Sequence, residues 1–289
     1  MKPPAFEYAR PETLDEAIAL IAEYGSDAKL LAGGQSLMPM LNLRLAEPRL
    51  LIDVNRVPGL AGIHRDNGRI RIGAMTRHRE LEASREAADA EPLIARAARE
   101  IGHLAIRSRG TIGGSIAHAD PAAEWPMLAV ALDAQIELRS TSGLRTATAR
   151  DFFVGPFTTS ARADEILTAI IFPAAPAQSG FGFRELCRRP GDFAIVAVAC
   201  RVRMNAGKCV GGTLAIGGAD AVPRHVSRID SVIRGSRGEN EVLREAGEVA
   251  ARAVDPTGDL HGSTEYRRKI VAVLTRRALH DAFAQVRAV

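Results

Sequence analysis

A short apolar run that ends in two glycines constrains this chain most. Lys29-Leu30-Leu31-Ala32 reads as a buried strand and runs directly into Gly33-Gly34, so the backbone must turn sharply where the strand stops. Upstream, Pro11-Glu12-Thr13 opens a helical pattern with an apolar stripe at Leu14, Ile18 and Ile21, closed by Gly25. Downstream, RLLIDVNRV gives another strand, with Pro58-Gly59 as its turn signal. Strand, helix and strand in such short succession predict a small α/β unit over residues 1–58.

The pattern then changes. GIHRDNGRIRIGAMT predicts a hairpin turning at Asn67-Gly68, followed by helical HRELEASREAA and PLIARAAREIG. IRSRGTIGGSIAHADPAAEW is expected to be a loop, PMLAVALD helical, and AQIELRST, RTATARDFF and EILTAIIFP strands, closing a second unit over 59–175. AAPAQSG has the composition of a linker. In the third unit, 176–289, FGFRELCRR, FAIVAVACRVRM and KCVGGTLAIGG predict three antiparallel strands ahead of mostly helical sequence. The fold class is α+β, and 289 residues allow two or three units of roughly 100–150 residues.

Composition narrows the function. Aromatic residues are 4% of the chain and the +4 net charge is scattered, so neither stacking platforms nor a basic patch points to nucleic acid. Cys187, Cys200 and Cys209 lack C-x-x-C spacing, and a cluster held by this chain alone needs about four thiolates. The seven histidines form no metal-binding spacing, and no G-x-S-x-G elbow is present. No stretch approaches ~18 uninterrupted apolar residues and the start has no signal-peptide pattern, so we expect a cytoplasmic chain without membrane insertion.

The chemistry concentrates in two glycine loops, LAGGQSL (Leu31 to Leu37) and GTIGGSI (Gly110 to Ile116). Glycine pairs let backbone N–H groups converge on an anion, and Ser36, Thr111 and Ser115 add hydroxyls. Two such loops could grip one diphosphate from both sides; each could equally be a tight turn. Neither matches the Rossmann or P-loop pattern. Asp120 and Glu124 follow the second loop as candidate partners for sugar or ribityl hydroxyls, although Asp120 ahead of Pro121 also reads as a helix N-cap with Glu124 one turn inside. GGTLAIGGAD, in strand-rich sequence, reads as structural.

LAGGQSL and RGTIGGSIAHADPAAEWP resemble the two FAD-binding signatures of the medium subunit of the xanthine dehydrogenase and carbon monoxide dehydrogenase family. FEYARPETLDEAIALI, LLIDVNRVPGL, RRPGDFAIV and HGSTEYRRKIVAVLTRRAL extend the resemblance along the chain. It implies a PCMH-type FAD domain of two α/β parts and a smaller C-terminal domain. It assigns the FAD diphosphate to Ala32, Gly33, Gly34, Gln35 and Ser36, with Thr111, Gly113, Gly114 and Ser115 opposite; Leu37 and Gly110, at the ends of the two loops, are counted as cofactor-binding with them. Ile101, Leu167 and Arg184 fall at flavin-side positions, and Glu124 matches an acidic position facing the ribityl or ribose hydroxyls; Asp120 stays a candidate from the residues alone. Phe193 stands where carbon monoxide dehydrogenases carry a tyrosine by the isoalloxazine. FAD would be non-covalent, because covalent oxidases of the fold often attach the ring through a histidine in or near the first glycine loop, which Gln35 cannot do. The resemblance also implies a large molybdenum-pterin subunit and a small subunit with two 2Fe-2S clusters, assembled as a dimer of heterotrimers. A stand-alone flavin oxidoreductase of the same fold, or a non-catalytic nucleotide-sensing module, is the alternative.

Overall fold

The computed structural model describes residues 2–287. The first unit holds β1 (Glu7–Ala9), α1 (Leu14–Tyr24), β2 (Ala28–Leu31), α2 (Leu37–Asn42) and β3 (Leu50–Asp53). Its strands are all parallel, in the order β1-β3-β2. The Thr13 hydroxyl caps α1 by accepting from the Glu16 amide at 3.2 Å. The α1 stripe of Ala17, Ile18 and Ile21 packs with Leu50 and Ile52 of β3.

The second unit runs through β4 (Ile63–Asp66), β5 (Arg69–Gly73), α3 (His78–Ala83), α4 (Arg85–Ala90), α5 (Pro92–Glu100), α6 (Leu104–Arg109), α7 (Ile112–His118) and α8 (Glu124–Ala131). It closes with β6 (Gln135–Ser140), β7 (Gly143–Thr148), α9 (Ala149–Phe152), β8 (Phe153–Gly155), β9 (Thr158–Thr159) and β10 (Ile166–Pro173). Five strands form an antiparallel sheet in the order β4-β5-β10-β6-β7. Asn67 and Gly68 both take positive φ in the β4–β5 turn, as the Asn-Gly signal predicts. Two expectations fail here. The segment around the second glycine pair is not a loop but two short helices, α6 and α7, because Thr111 supplies an N-cap in front of Ile112. RTATARDFF is not one strand: Thr148 caps the turn α9, and the chain changes direction there.

The third unit contains β11 (Ser179–Leu186), β12 (Val196–Asn205), β13 (Lys208–Gly217), β14 (Arg224–His225), α10 (Ile229–Ile233), α11 (Asn240–Arg252) and α12 (Thr264–Arg287). The three expected antiparallel strands are joined by β14, a two-residue edge strand too short to show in the sequence. The sheet is covered on both faces. Val196, Val198, Cys200 and Val202 of β12 pack with α11 and α12, while Ala197, Ala199 and Ala215 join the core of the second unit. These alanines leave room for α8, all eight of whose residues are buried.

Candidate functional site

A cavity of about 770 Å³ opens where the three units meet. That size is in the range of sites that enclose a cofactor. Gly33 to Leu37, Gly110, Thr111 and Gly113 to Ser115 line it, together with Ile101, Asp120, Glu124, Leu167 and Phe193. The residues picked from the sequence, Ala32 included, are thus brought together with one exception, Arg184, which does not line the cavity; the two glycine segments contribute to it in different ways.

In the first loop Gly34 has φ +74°, a conformation that L side chains rarely adopt. A Cβ on Gly33 would lie 2.5 Å from the Arg109 carbonyl oxygen, so the two glycine segments touch backbone to backbone. Among the described residues, no hydrogen bond takes the backbone N–H groups of Gly33, Gly34, Gln35 or Ser36. Four consecutive amides at a cavity wall form an anion-binding concavity. The Gln35 side chain folds back and donates to the Gly33 carbonyl at 3.1 Å.

The second segment is built differently, which corrects the expectation of converging amides there. Ile112 donates to the Thr76 carbonyl, Gly113 to Ala74, Gly114 to the Thr111 hydroxyl at 3.1 Å, and Ser115 to the Thr111 carbonyl. Its amides are therefore committed. The glycines serve close packing instead: a Cβ at Gly113 would meet Ala74 at 2.5 Å, and one at Gly114 would meet the Thr111 hydroxyl at 2.8 Å. What this segment offers a ligand is the hydroxyl of Ser115 and the proton of the Thr111 hydroxyl. A donor set of open amides and hydroxyls, with glycines where side chains would fill the cradle, fits a diphosphate.

Farther along, Asp120 does not cap α8. Its carboxylate accepts from the Ala122 amide at 2.9 Å in an Asx turn, and Ala123 is the N-cap. Glu124 is therefore the first residue of α8 rather than one turn inside, and it is 5% exposed. Burial pushes its carboxyl up to about 7, and the charges of Asp120 and Glu100 push in the same direction. A carboxyl poised there can present either a donor or an acceptor to a ligand hydroxyl. Ile101 and Leu167 supply apolar wall, Leu167 beside a bulge in β10. Phe193 is 62% exposed on the rim and is not part of the core of the C-terminal unit.

Arg184 is displaced by the strand pleat. Phe183 points into the core, Arg184 points the other way, and its guanidinium pairs with Asp281 of α12 at 2.6 Å. Several lining residues were not found from the sequence. Phe157 stacks near His118 with ring centroids 5.1 Å apart. Its φ of +54° is a conformation no sequence pattern announced. His78 is buried at the cavity wall, accepts at Nδ1 from the Trp125 indole at 3.0 Å, and is pushed down to about 4, so it stays neutral. The three cysteines are free thiols. Among the described residues no group of three or more His, Cys, Asp or Glu could hold a metal ion, and no helix is long and apolar enough to cross a membrane.

Residues 4–175 match the family described as the FAD binding domain in molybdopterin dehydrogenase, and residues 181–282 match the CO dehydrogenase flavoprotein C-terminal domain. The chain is 38% identical over 288 residues to the 6-hydroxypseudooxynicotine dehydrogenase complex subunit alpha of Paenarthrobacter nicotinovorans, covering 99% of this chain and 97% of that one. It is 37% identical to the carbon monoxide dehydrogenase medium chain of Hydrogenophaga pseudoflava, with 99% of each covered. A solved structure of carbon monoxide dehydrogenase from that organism superposes with a TM-score of 0.96 at 37% identity, again over 99% of each chain. Full-length matches of this kind, over a cavity cradled by two glycine segments, place the chain in the molybdenum hydroxylase family as one of its FAD-binding medium subunits, a component of oxidoreductase complexes.

Proposed function

We propose that this chain carries non-covalent FAD as an electron relay. In this reading it receives electrons from the 2Fe-2S clusters of a small partner subunit and passes them to an external acceptor, while a large molybdenum-pterin subunit oxidises the substrate. FAD supplies the redox chemistry when bound; the protein binds, orients and shields it. The observation that carries the reading is the cradle of four open amides at Gly33 to Ser36, facing the Thr111 and Ser115 hydroxyls across one cavity. The first segment neutralises the diphosphate with N–H donors. Glu124 is in place to bond a ribityl or ribose hydroxyl, and Ile101 and Leu167 exclude water from the apolar part of the ligand. Phe193, on the rim, stands between that apolar end and solvent. Gln35 has no nucleophilic ring nitrogen to form a bond to the flavin.

The names of the relatives refer to different oxidations, of a nicotine derivative in one and carbon monoxide in the other. A substrate chosen by a different chain would account for so similar a flavoprotein serving both. The partners proposed are those two subunits, in a dimer of heterotrimers within the cytoplasm.

The test is to purify the chain natively, identify what comes with it, and assay metals and flavin. We expect molybdenum- and iron-containing partners, and about one FAD per chain released by acid into the supernatant. The chain alone should reduce dyes from a reduced donor but oxidise no aromatic or aldehyde substrate. Turnover of such a substrate by the isolated chain would instead favour a stand-alone flavin enzyme. Flavin retained in the acid pellet would refute the non-covalent reading.

A further inference from the structure

The two glycine segments come from different units, with 75 residues between Gly34 and Gly110, yet their backbones touch at Gly33 and Arg109. Such contact between loops needs an external hold, because glycine segments bring no side chains of their own to lock it. Two polar residues outside both loops supply one. Arg77 follows β5, and its backbone forms an isolated bridge with Thr111. His78 donates to the Gly110 carbonyl at 3.1 Å and Ile112 to the Thr76 carbonyl at 3.1 Å, so this stretch is stitched to the second segment.

The Arg77 side chain then reaches across. One guanidinium nitrogen, Nη1, donates to the Arg109 carbonyl, the same oxygen that Gly33 packs upon. The other, Nη2, donates to Asn55 Oδ1 at 2.6 Å. Asn55, just after β3, offers its amide nitrogen to the carbonyls of Ala32 at 2.9 Å and Leu31 at 3.2 Å. The orientation of the Asn55 amide is fixed by this arrangement, since turning it over would set its NH₂ against a guanidinium. Asp53 completes the chain of contacts, accepting from Asn55 at Oδ1 and from the Tyr8 hydroxyl at 2.6 Å.

We propose that Arg77 and Asn55 are positioning residues that clamp the two glycine segments at the separation a diphosphate requires. The proposal rests on the FAD-binding reading above. The guanidinium is suited to the task because its planar fork can hold two acceptors on two different segments at once, which an ammonium cannot do in the same geometry. Neither residue need touch the ligand: their effect runs through the carbonyls of Ala32 and Arg109, and so through the open amides that follow Ala32 and the Thr111 and Ser115 hydroxyls that follow Arg109.

The test measures FAD dissociation constants on the deflavinated full-length chain, with circular dichroism and thermal unfolding run in parallel. Arg77→Met and Asn55→Leu should each weaken FAD at least about tenfold, the usual scale for one charge-assisted contact. The double variant should be little weaker than either single one, because the two residues act as a unit. Arg77→Lys, which keeps the charge without the fork, should stay weakened. Asn55→Asp serves if a bulkier change unfolds the chain. It preserves the shape but faces the Ala32 carbonyl with an acceptor, and should also weaken FAD at least about tenfold. Wild-type affinity in Asn55→Asp and Arg77→Met, full rescue by Arg77→Lys, or simple additivity in the double variant would each overturn the clamp while leaving the FAD reading intact. A wild-type chain that takes up no FAD would overturn both.

Discussion

On β11 the pleat sends Arg184 to the surface and Glu185 inward, and the inward carboxylate is the more consequential of the two. Glu185 Oε2 is buried without a hydrogen-bond partner, and burial pushes its carboxyl up to about 8, with the charges of Glu124 and Glu100 adding to the effect and a hydrogen bond from Cys187 opposing it. A carboxyl raised above its unfolded value of about 4.5 stabilises the fold fully below that pH. The contribution is lost as pH rises from about 4.5 through about 8, since the folded state then binds more protons than the unfolded one. Glu185→Gln removes the ionisation and keeps the shape. We expect the deflavinated variant to match wild type at pH 4 and to melt above it at pH 9, with the gap opening between. Equal melting curves at pH 9 would mean that Glu185 is solvated. The sequence showed Arg184 and Glu185 equally well; it could not show which of two neighbours a strand turns inward, because a one-residue shift in register exchanges their faces. The residues of the first glycine loop were legible because strand, turn and hydroxyl sit within seven positions. Asn55 and Arg77 were not, since their partners lie in other segments.

At the scale of elements, the strand–helix alternation and the Asn67-Gly68 hairpin were legible because each is set by local periodicity and turn chemistry. The second glycine pair was misread as a loop, since Gly-Gly lowers helix propensity while the Thr111 cap and the packing on Ala74 restore the helix. AAPAQSG, expected to be a linker, ends inside β11, whose first two residues are Ser179 and Gly180, and Gly180 and Gly182 decide how α12 docks. A Cβ at Gly182 would lie 2.0 Å from the Ala278 carbonyl oxygen and one at Gly180 would lie 1.9 Å from that of Ala282. Two alternate residues at the start of the strand thus let the helix backbone rest directly on the sheet. Gly182→Ala must push α12 outward or bend β11. We expect a loss of about 1–3 kcal/mol or more in denaturant unfolding, typical of overpacking. Gly155→Ala, whose nearest neighbours would be at 3.8 Å, is the control and should stay within about 0.5 kcal/mol. Equal stability of the two variants would show that α12 can slide without cost.

For the molecule as a whole, the cavity exists only while three units keep their places: Gly33 belongs to the first, Thr111 to the second, and Phe193 to the third. The contact of the second and third units is mostly apolar, through α8 and the alanines of β12 and β13, but it also contains the ion pair of Glu91 with Arg201. Glu91, fully buried, caps α5 by accepting from the Leu93 amide and meets Arg201 of β12 at 2.9 Å. Burial pushes the Glu91 carboxyl up to about 7, and Arg201 is the charge that holds it from going higher. Arg201→Met keeps most of the volume and strands the carboxylate. Breaking a buried pair from one side costs about 3–5 kcal/mol when the remaining charge must stay ionised. At pH 5 the stranded Glu91 can take up a proton and remain neutral, so most of that cost disappears. At pH 8 protonation is itself uphill, and the cost returns. Wild type itself loses stability between pH 5 and 8, because its Glu91 carboxyl already stands at about 7. Without Arg201 that carboxyl stands higher, so the variant should lose more stability, and with it FAD, than wild type does over the same range. Adding Glu91→Gln to Arg201→Met should remove the share of the pH dependence that Glu91 carries, leaving that of Glu124 and Glu185. FAD content after gel filtration and melting temperature, taken at both pH values, check each step. A single variant no more pH-sensitive than wild type would show that water reaches Glu91, and that apolar packing alone keeps the third unit against the cavity.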